Sequence, residues 1–509
     1  MTIDIPRPGP AARAERTALR DYGRLGWFRT LFLTDIWERF SFFGMQAILV
    51  LYATAPVAGG GLGLPATTAT ALYGSYVGLI FVLAVPGGWL GDRVLGEWRA
   101  TVAGGVIIAL GHFTMALPFE ASAYAGLALI AAGTGLLKPN LLALLGRFYG
   151  PGRAAEREAA ISIFYVGIQV SALLAPLVTG FLGETVNWHL GFSAAGVGMT
   201  FGVLQFALGA RHFAGAGKAP GHPLDAAERR RALRWVVGPV AAVAVLAAVD
   251  VLTGRFGLMH VVGALGVVTV VTPVAYFVAL RRRPELDAAH RSRLSAYFWL
   301  LLASALFWLF VIQGGSTLSL FARSSTDRVV LGHLVPAGWF QSATPLFILV
   351  LAPLSARVWL SAGGRLSVAA KFAAGLAFAA GGLLLMSLAS WIADGGRPVS
   401  PLWLLAAFLL LACGEVAIAP IGLSTSVDVV PPALTGRVIG LYWTFSALGG
   451  GMGSMVVRAA GGVPRWAYFL VLGLAGLGAM TGFVVGRARL TRRFRTEPSG
   501  PAAASALFE

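Results

Sequence analysis

Five ionisable side chains stand inside tracts otherwise almost free of charge: Asp35, Glu38 and Arg39 together, then Lys138 and Glu415. The first three recur at i, i+3 and i+4, a spacing that sets them on one face of a helix. Lys138 is the only charge between Glu120 and Arg147, and Glu415 the only one between Arg397 and Asp428. A charge in hydrocarbon is costly unless paired or hydrated, so such residues point to function by default. A lone carboxylate at mid-depth favours its neutral form because desolvation penalises the anion, and it can take up and release a proton as its surroundings change. That is the chemistry a proton-coupled carrier needs. The competing reading, intrahelical pairing and helix-packing glue, suits Glu38–Arg39 best. It suits Lys138 and Glu415 least, because they lack local partners.

The elements that must position these groups follow from the charge-free tracts. Of 509 residues 57% are hydrophobic and only 12% charged, about half the charge of a soluble domain. No charge occurs from Phe40 to Gly91, from Ala159 to Gly183 or from Leu294 to Ala322. A spanning helix needs about 20 mostly apolar residues. By that measure the chain reads as about fourteen spans near 27–54, 67–91, 99–118, 122–146, 157–184, 190–212, 233–253, 257–280, 292–320, 337–360, 367–393, 401–427, 434–458 and 465–487. Lys plus Arg number 39 against 22 Asp plus Glu, a formal +17. The excess lies between spans, where it reads as a topology signal rather than a nucleic-acid surface. Loops 92–99, 147–157, 211–234, 281–293, 357–371 and the tail from Arg487 are basic, whereas 55–66 carries no charge and 119–121 only Glu120. Both termini are therefore expected in the cytoplasm, with the protein in the cell (inner) membrane and the lipid bilayer as its surroundings. The first 26 residues hold five arginines and no apolar run, a cytoplasmic tail and not a secretory leader. The single cysteine, Cys413, excludes an intrachain disulfide.

The spans group as six, two and six. The middle pair is set off by Arg229, Arg230, Arg231 and Arg234 on one side and Arg281, Arg282 and Arg283 on the other. The expected division is a cytoplasmic tail (1–26), a six-helix bundle (27–213), a basic linker with two extra helices (214–291), a second six-helix bundle (292–488) and a disordered tail (489–509). Two six-helix halves are the pattern of the major facilitator fold, whose halves rock about a central site. The loop Gly88-Trp-Leu-Gly-Asp92-Arg93-Val-Leu-Gly96 resembles that superfamily's G-x-x-x-D-R-x-x-G loop after the second span.

Five stretches, in order, resemble the proton-dependent oligopeptide transporter family. Asp35-Ile-Trp-Glu38-Arg39-Phe40-Ser41-Phe42-Phe43-Gly44-Met45 is similar to its E-x-x-E-R-F-x-Y-Y-G-M first-span motif, and Gly133-Thr-Gly-Leu-Leu-Lys138-Pro139-Asn140 to its G-x-G-x-x-K-P-N. Ser162-Ile-Phe-Tyr165-Val-Gly167-Ile-Gln169 resembles its F-Y-x-x-I-N signature. Phe340-Gln341-Ser342-Ala343-Thr344-Pro345 and Gly414-Glu415-Val-Ala-Ile-Ala-Pro420-Ile-Gly422 resemble its eighth- and tenth-span patterns. The resemblance covers about Trp27 to Arg487, and bacterial members also carry an extra helix pair between the halves. It implies inward symport of small peptides with protons, by alternating access, in a protein that works as a monomer without a cofactor. By motif match, Asp35, Glu38, Arg39 and Lys138 take part in proton coupling. Arg39, Gln46, Tyr76, Lys138, Gln169, Ile312, Thr344 and Glu415 occupy substrate-binding positions, with Lys138 on the peptide carboxylate and Glu415 on the amino group.

The departures are specific. The family's arginine seven residues after the motif arginine is here Gln46, and the glutamate that commonly precedes Gln-Gly in the seventh span is Ile312. The two motif tyrosines are Phe42 and Phe43, the asparagines of the fifth and eighth spans are Gln169 and Thr344, and one glutamate has become Asp35. Losing one arginine and one glutamate leaves the formal charge unchanged but not the pairing. Without the seventh-span acid, Lys138 needs another partner, because an unpaired buried ammonium is strongly disfavoured; Asp35 and Glu38 are the candidates. Arginine grips a carboxylate with two hydrogen bonds and Gln46 cannot replace that charge. The expected substrate is thus a di- or tripeptide or a peptide-like molecule. The alternatives are import or export of a non-peptide amphiphilic compound, or a non-transporting sensor.

Other classes find little support. No H-E-x-x-H, P-loop or Cys/His array occurs, so neither a metal nor an enzymatic centre is expected. His112 and His189 could titrate near neutral pH, although Trp188-His189-Leu-Gly-Phe resembles a packing motif. The run Gly449-Gly450-Gly451-Met452-Gly453 lies in a span and suits close helix packing better than phosphate binding.

Overall fold

The computed structural model describes residues 25–149, 154–231, 234, 245, 248–250, 252–254, 257–361, 366–431 and 434–495. These residues are almost wholly helical. In order come α1 (Gly26–Thr54), α2 (Ala66–Leu90), α3 (Glu97–Met115), α4 (Glu120–Gly146), α5 (Ala154–Phe181), α6 (Trp188–Leu208), α7 (Leu258–Arg281), α8 (Ala288–Val311) and the short α9 (Thr317–Ser325). Then follow α10 (Ala343–Ser361), α11 (Val368–Ala393), α12 (Leu402–Asp428), α13 (Thr435–Ala459) and α14 (Arg465–Arg495). Most limits agree within a few residues with the spans read from charge-free tracts; the last helix, expected to end near 487 with a disordered tail from 489, runs on to Arg495. The span read at 233–253 and the tail from Thr496 fall almost wholly outside the described residues.

Ten of these helices are long and apolar enough to cross a membrane by length and composition. Helices α1, α3 and α13 fall short because charged residues or glycines dilute their apolar content.

One expectation needs correction. The segment 292–320 was expected as a continuous span, but the helix stops at Val311 and restarts at Thr317. Gly314 and Gly315 follow the stop, a pair that weakens any helix. Gln313 organises the break: its Nε2 donates to Leu309 O at 3.0 Å, and its Oε1 accepts from Thr317 Oγ1 at 2.6 Å and from the Tyr468 hydroxyl at 3.1 Å. A buried amide so satisfied makes the break a built feature.

The chain divides into two compact units. One takes the described residues up to Gln46 and from Leu83 to Gly254; the other takes Ala47–Val82 and the described residues from Gly257 onward.

In the first unit, α5 lies along α1 through small residues. Thr179 Oγ1 donates to Gly44 O at 2.8 Å and Ser171 Oγ to Ile36 O at 3.1 Å. A β-carbon on Gly44 would come within 2.6 Å of Thr179 Cγ2, so only glycine permits this approach. The Asp92-Arg93 loop is a hub and not merely a basic turn. Arg147 grips Glu97 Oε1 through Nε and Nη2 at 2.9 and 2.8 Å. The segment after α6 folds onto the same loop: Arg93 Nη1 donates to His222 O at 3.1 Å, His222 Nδ1 lies 3.1 Å from Asp92 Oδ1, and Trp98 N donates to Gly217 O at 2.9 Å.

In the second unit the glycine run of α13 serves packing, as its position suggested. A β-carbon at Gly449 would meet Ala305 O at 2.5 Å, one at Gly450 would meet Gly78 N at 3.1 Å, and one at Gly451 would strike Thr269 Oγ1. Three successive glycines therefore admit α8, α2 and α7. A two-residue hairpin, β1 (Val329–Val330) with β2 (His333–Leu334), turns at Leu331 and Gly332, both with positive φ.

Candidate functional site

Helix α1 presents Asp35, Glu38 and Arg39 on its inward face, with the Glu38 side chain 0% exposed. Arg39 Nε lies 3.5 Å from Asp35 Oδ1 and 3.5 Å from Glu38 Oε2. Lys138 reaches over from α4, its Nζ 3.5 Å from Glu38 Oε1. Of the two partners open to Lys138 in the sequence, Glu38 is the one in ion-pairing range. One buried carboxylate thus stands between two cations from different helices, one cation on each oxygen. Asp35 and Glu38 against Arg39 and Lys138 leave the group formally neutral. At 3.5 Å these are ion pairs rather than short hydrogen bonds, and neither Glu38 oxygen receives a hydrogen bond among the described residues. Such a pair is strong through low dielectric and yet separable without dismantling a hydrogen-bond network.

The ring of Phe42, one turn beyond Glu38, completes the ammonium's surroundings: Lys138 Nζ sits 3.7 Å from its centroid. The aromatic face attracts the cation that the carboxylate holds from the other side. Sequence reasoning treated Phe42 only as a lost tyrosine. The i, i+4 step from Glu38 was the signal that it shares a face with the charges.

Asn140 has a role that the K-P-N match did not supply. Its Nδ2 donates to Gly87 O on α2 at 2.9 Å and to Leu136 O at 2.7 Å, which fixes the turn that carries Lys138. Pro139 has no N–H for the carbonyl of Gly135, and Gly87 of α2 packs against that carbonyl.

Gln46 and Gln169 are buried in the first unit, but no hydrogen bond or ion pair joins either to the charged group among the described residues. Tyr76, Ile312, Thr344 and Glu415 belong to the second unit. Tyr76 is buried on α2. Ile312 caps the end of α8, where its Cγ2 stands 3.4 Å from a β-carbon built on Gly453. Thr344 lies in the first turn of α10, near Gln341, whose Nε2 donates to Ala47 O at 3.2 Å and to Ser319 Oγ at 3.0 Å. Glu415 sits on α12 beside Gly414, which packs close to Phe307 and Gly375 O. Among the described residues no cationic side chain lies within ion-pairing distance of Glu415. His189 serves structure: its Nδ1 is 3.3 Å from Met115 O, and Asn187 Oδ1 caps the helix by accepting from His189 N at 2.8 Å. His112 is fully buried in α3. No metal-binding group of His, Cys, Asp or Glu occurs among the described residues.

The chain is similar to known proteins over most of its length. A model of the POT family matches residues 98–464. The chain is 32% identical over 468 residues to the di-/tripeptide transporter of Lactococcus lactis subsp. cremoris, covering 90% of this chain and 94% of that one. It is 37% identical over 434 residues to the peptide transporter YePEPT of Yersinia enterocolitica subsp. palearctica serotype O:3, covering 82% and 84%. It also superposes with a TM-score of 0.87 on the crystal structure of a peptide transporter POT in complex with sulfate, at 37% identity over 92% of this chain and 95% of the other.

Proposed function

We propose that this chain, which belongs to the POT family, is a proton-coupled symporter of di- and tripeptides or peptide-like small molecules working by alternating access. The observation that carries the reading is the Glu38 carboxylate held between Arg39 and Lys138, fully buried and, among the described residues, without hydrogen bonds. Protonating Glu38 or Asp35 removes one negative charge and leaves a surplus cation. A substrate carboxylate can then take that cation as partner, which links a proton to a peptide in one inward step. Arg39 and Lys138 are assigned by motif position to the substrate carboxylate and Glu415 to its amino group, in keeping with the lack of an ion-pairing cation beside Glu415 among the described residues. Gln46, Tyr76, Gln169, Ile312 and Thr344 line the substrate by motif position. The six-two-six division, the cytoplasmic termini, the inner-membrane location and a monomeric working unit complete the proposal.

The test is a thermal-shift screen of the purified protein against di- and tripeptides, amino acids and hydrophobic drugs, followed by uptake of each hit into proteoliposomes under an inward proton gradient. Stabilisation and gradient-driven uptake of peptides are expected. Silence toward every peptide, with a hit among the other compounds, would contradict the peptide reading and leave the fold untouched.

A further inference from the structure

The molecule carries a second basic feature, unrelated to the buried charges, on the outer wall of its first unit. A cavity of about 630 Å³ opens between the start of α1 and the end of α6, with Arg29, Arg211 and His212 at its mouth. Arg29 and Arg211 are exposed, and neither reaches a carboxylate among the described residues. No acidic side chain lines the cavity. His212 is wedged against α1: a β-carbon on Gly26 would approach its Cδ2 to 2.6 Å, and its Nδ1 is 3.4 Å from Thr30 Oγ1. The floor is built as well. Gln205 Nε2 donates to Thr30 O at 3.3 Å, and its Oε1 accepts from Thr34 Oγ1 at 3.1 Å.

Away from the mouth the wall is apolar. Leu208, Leu204 and Phe201 follow one face of α6 toward the membrane interior, 79%, 54% and 56% exposed. Leu33 stands one turn beyond Arg29 on α1. A cationic rim above a descending apolar groove matches one molecule of the bilayer, a phospholipid with its phosphate at the rim and an acyl chain along the groove. A zwitterionic headgroup would bring its own cation against the arginines.

We infer that this groove is a specific binding site for an anionic phospholipid, held by Arg29 and Arg211 in the leaflet that faces the basic loops. A lipid there would tie α6 to the helix that bears Asp35, Glu38 and Arg39, six residues or about 9 Å of helix beyond Arg29.

The full-length protein in detergent should be titrated with dioleoylphosphatidylglycerol, dioleoylphosphatidylcholine or inorganic phosphate, and followed by thermal melting and by native mass spectrometry of retained lipid. Phosphatidylglycerol should raise Tm and remain bound; phosphatidylcholine and phosphate should do neither. Each basic side chain near an anionic surface contributes roughly a fivefold factor in affinity. Arg29→Gln with Arg211→Gln should therefore weaken phosphatidylglycerol binding by about thirtyfold, and Arg29→Lys with Arg211→Lys should largely keep it. Arg211→Gln alone, at an exposed position past the helix end, should cost about fivefold, which keeps the test decisive if the double variant folds poorly. Undiminished phosphatidylglycerol binding in the glutamine variants, an equal response to phosphatidylcholine, or a full response to phosphate alone would each overturn the assignment.

Discussion

Lys138 illustrates how little separates a structural charge from a working one. Its ammonium is held by one carboxylate oxygen at 3.5 Å and one aromatic face at 3.7 Å, neither a short hydrogen bond. Replacing the ring by Phe42→Leu removes the attraction of its face, worth about 0.5–2 kcal/mol according to exposure. A fall in Tm larger than that of Phe43→Leu, the adjacent ring, is expected; equal falls would show that Phe42 only fills space. The charged set itself was legible, because four ionisable groups in charge-free tracts announce themselves and i, i+3, i+4 spacing gives the shared face. Which acid meets Lys138 was not. That depends on the crossing of α1 and α4, and no periodicity within one helix encodes it.

Helix contacts set the position of that ammonium. The amide of Asn140 bonds two carbonyls, one across to α2, and so anchors the turn that carries Lys138. Asn140→Ala leaves both buried acceptors short of a donor, a loss of about 1–3 kcal/mol. We expect a lowered Tm together with weakened gradient-driven uptake. A variant that loses stability but transports normally would separate the anchor from the site. The break between α8 and α9 teaches the same lesson about legibility. Gly314 and Gly315 were a visible signal, yet counting charge-free residues merges everything from Leu294 to Ala322 into one span. Only the bonds from Gln313 to Thr317 and Tyr468 show why the chain turns there.

Among the described residues, the limits of most spans followed from charge-free length, because each membrane crossing imposes the same requirement on the chain. The proposed orientation rests on loop arginines and has a direct check. In a Cys413→Ala background, a cysteine at Gly59, where a β-carbon meets nothing within 4 Å, should react with a membrane-impermeant maleimide added to intact cells. One at the exposed Arg283 should react only after lysis. The reverse pattern would invert the topology and, with it, the leaflet assigned to the lipid groove. Less legible was the division of labour along the chain. Alpha-helical periodicity does not reveal that residues 47–82 pack with the second compact unit while the charged turn of α1 belongs to the first.

The central claim is that the Lys138–Glu38 pair couples a proton to the substrate, and one variant tests it most directly. Lys138→Ala should be reconstituted beside the native protein and assayed twice, for peptide uptake driven by an inward proton gradient and for counterflow exchange without a gradient. The account predicts that gradient-driven uptake disappears while exchange survives. Equal loss of both, or gradient-driven uptake that persists without the lysine, would contradict it.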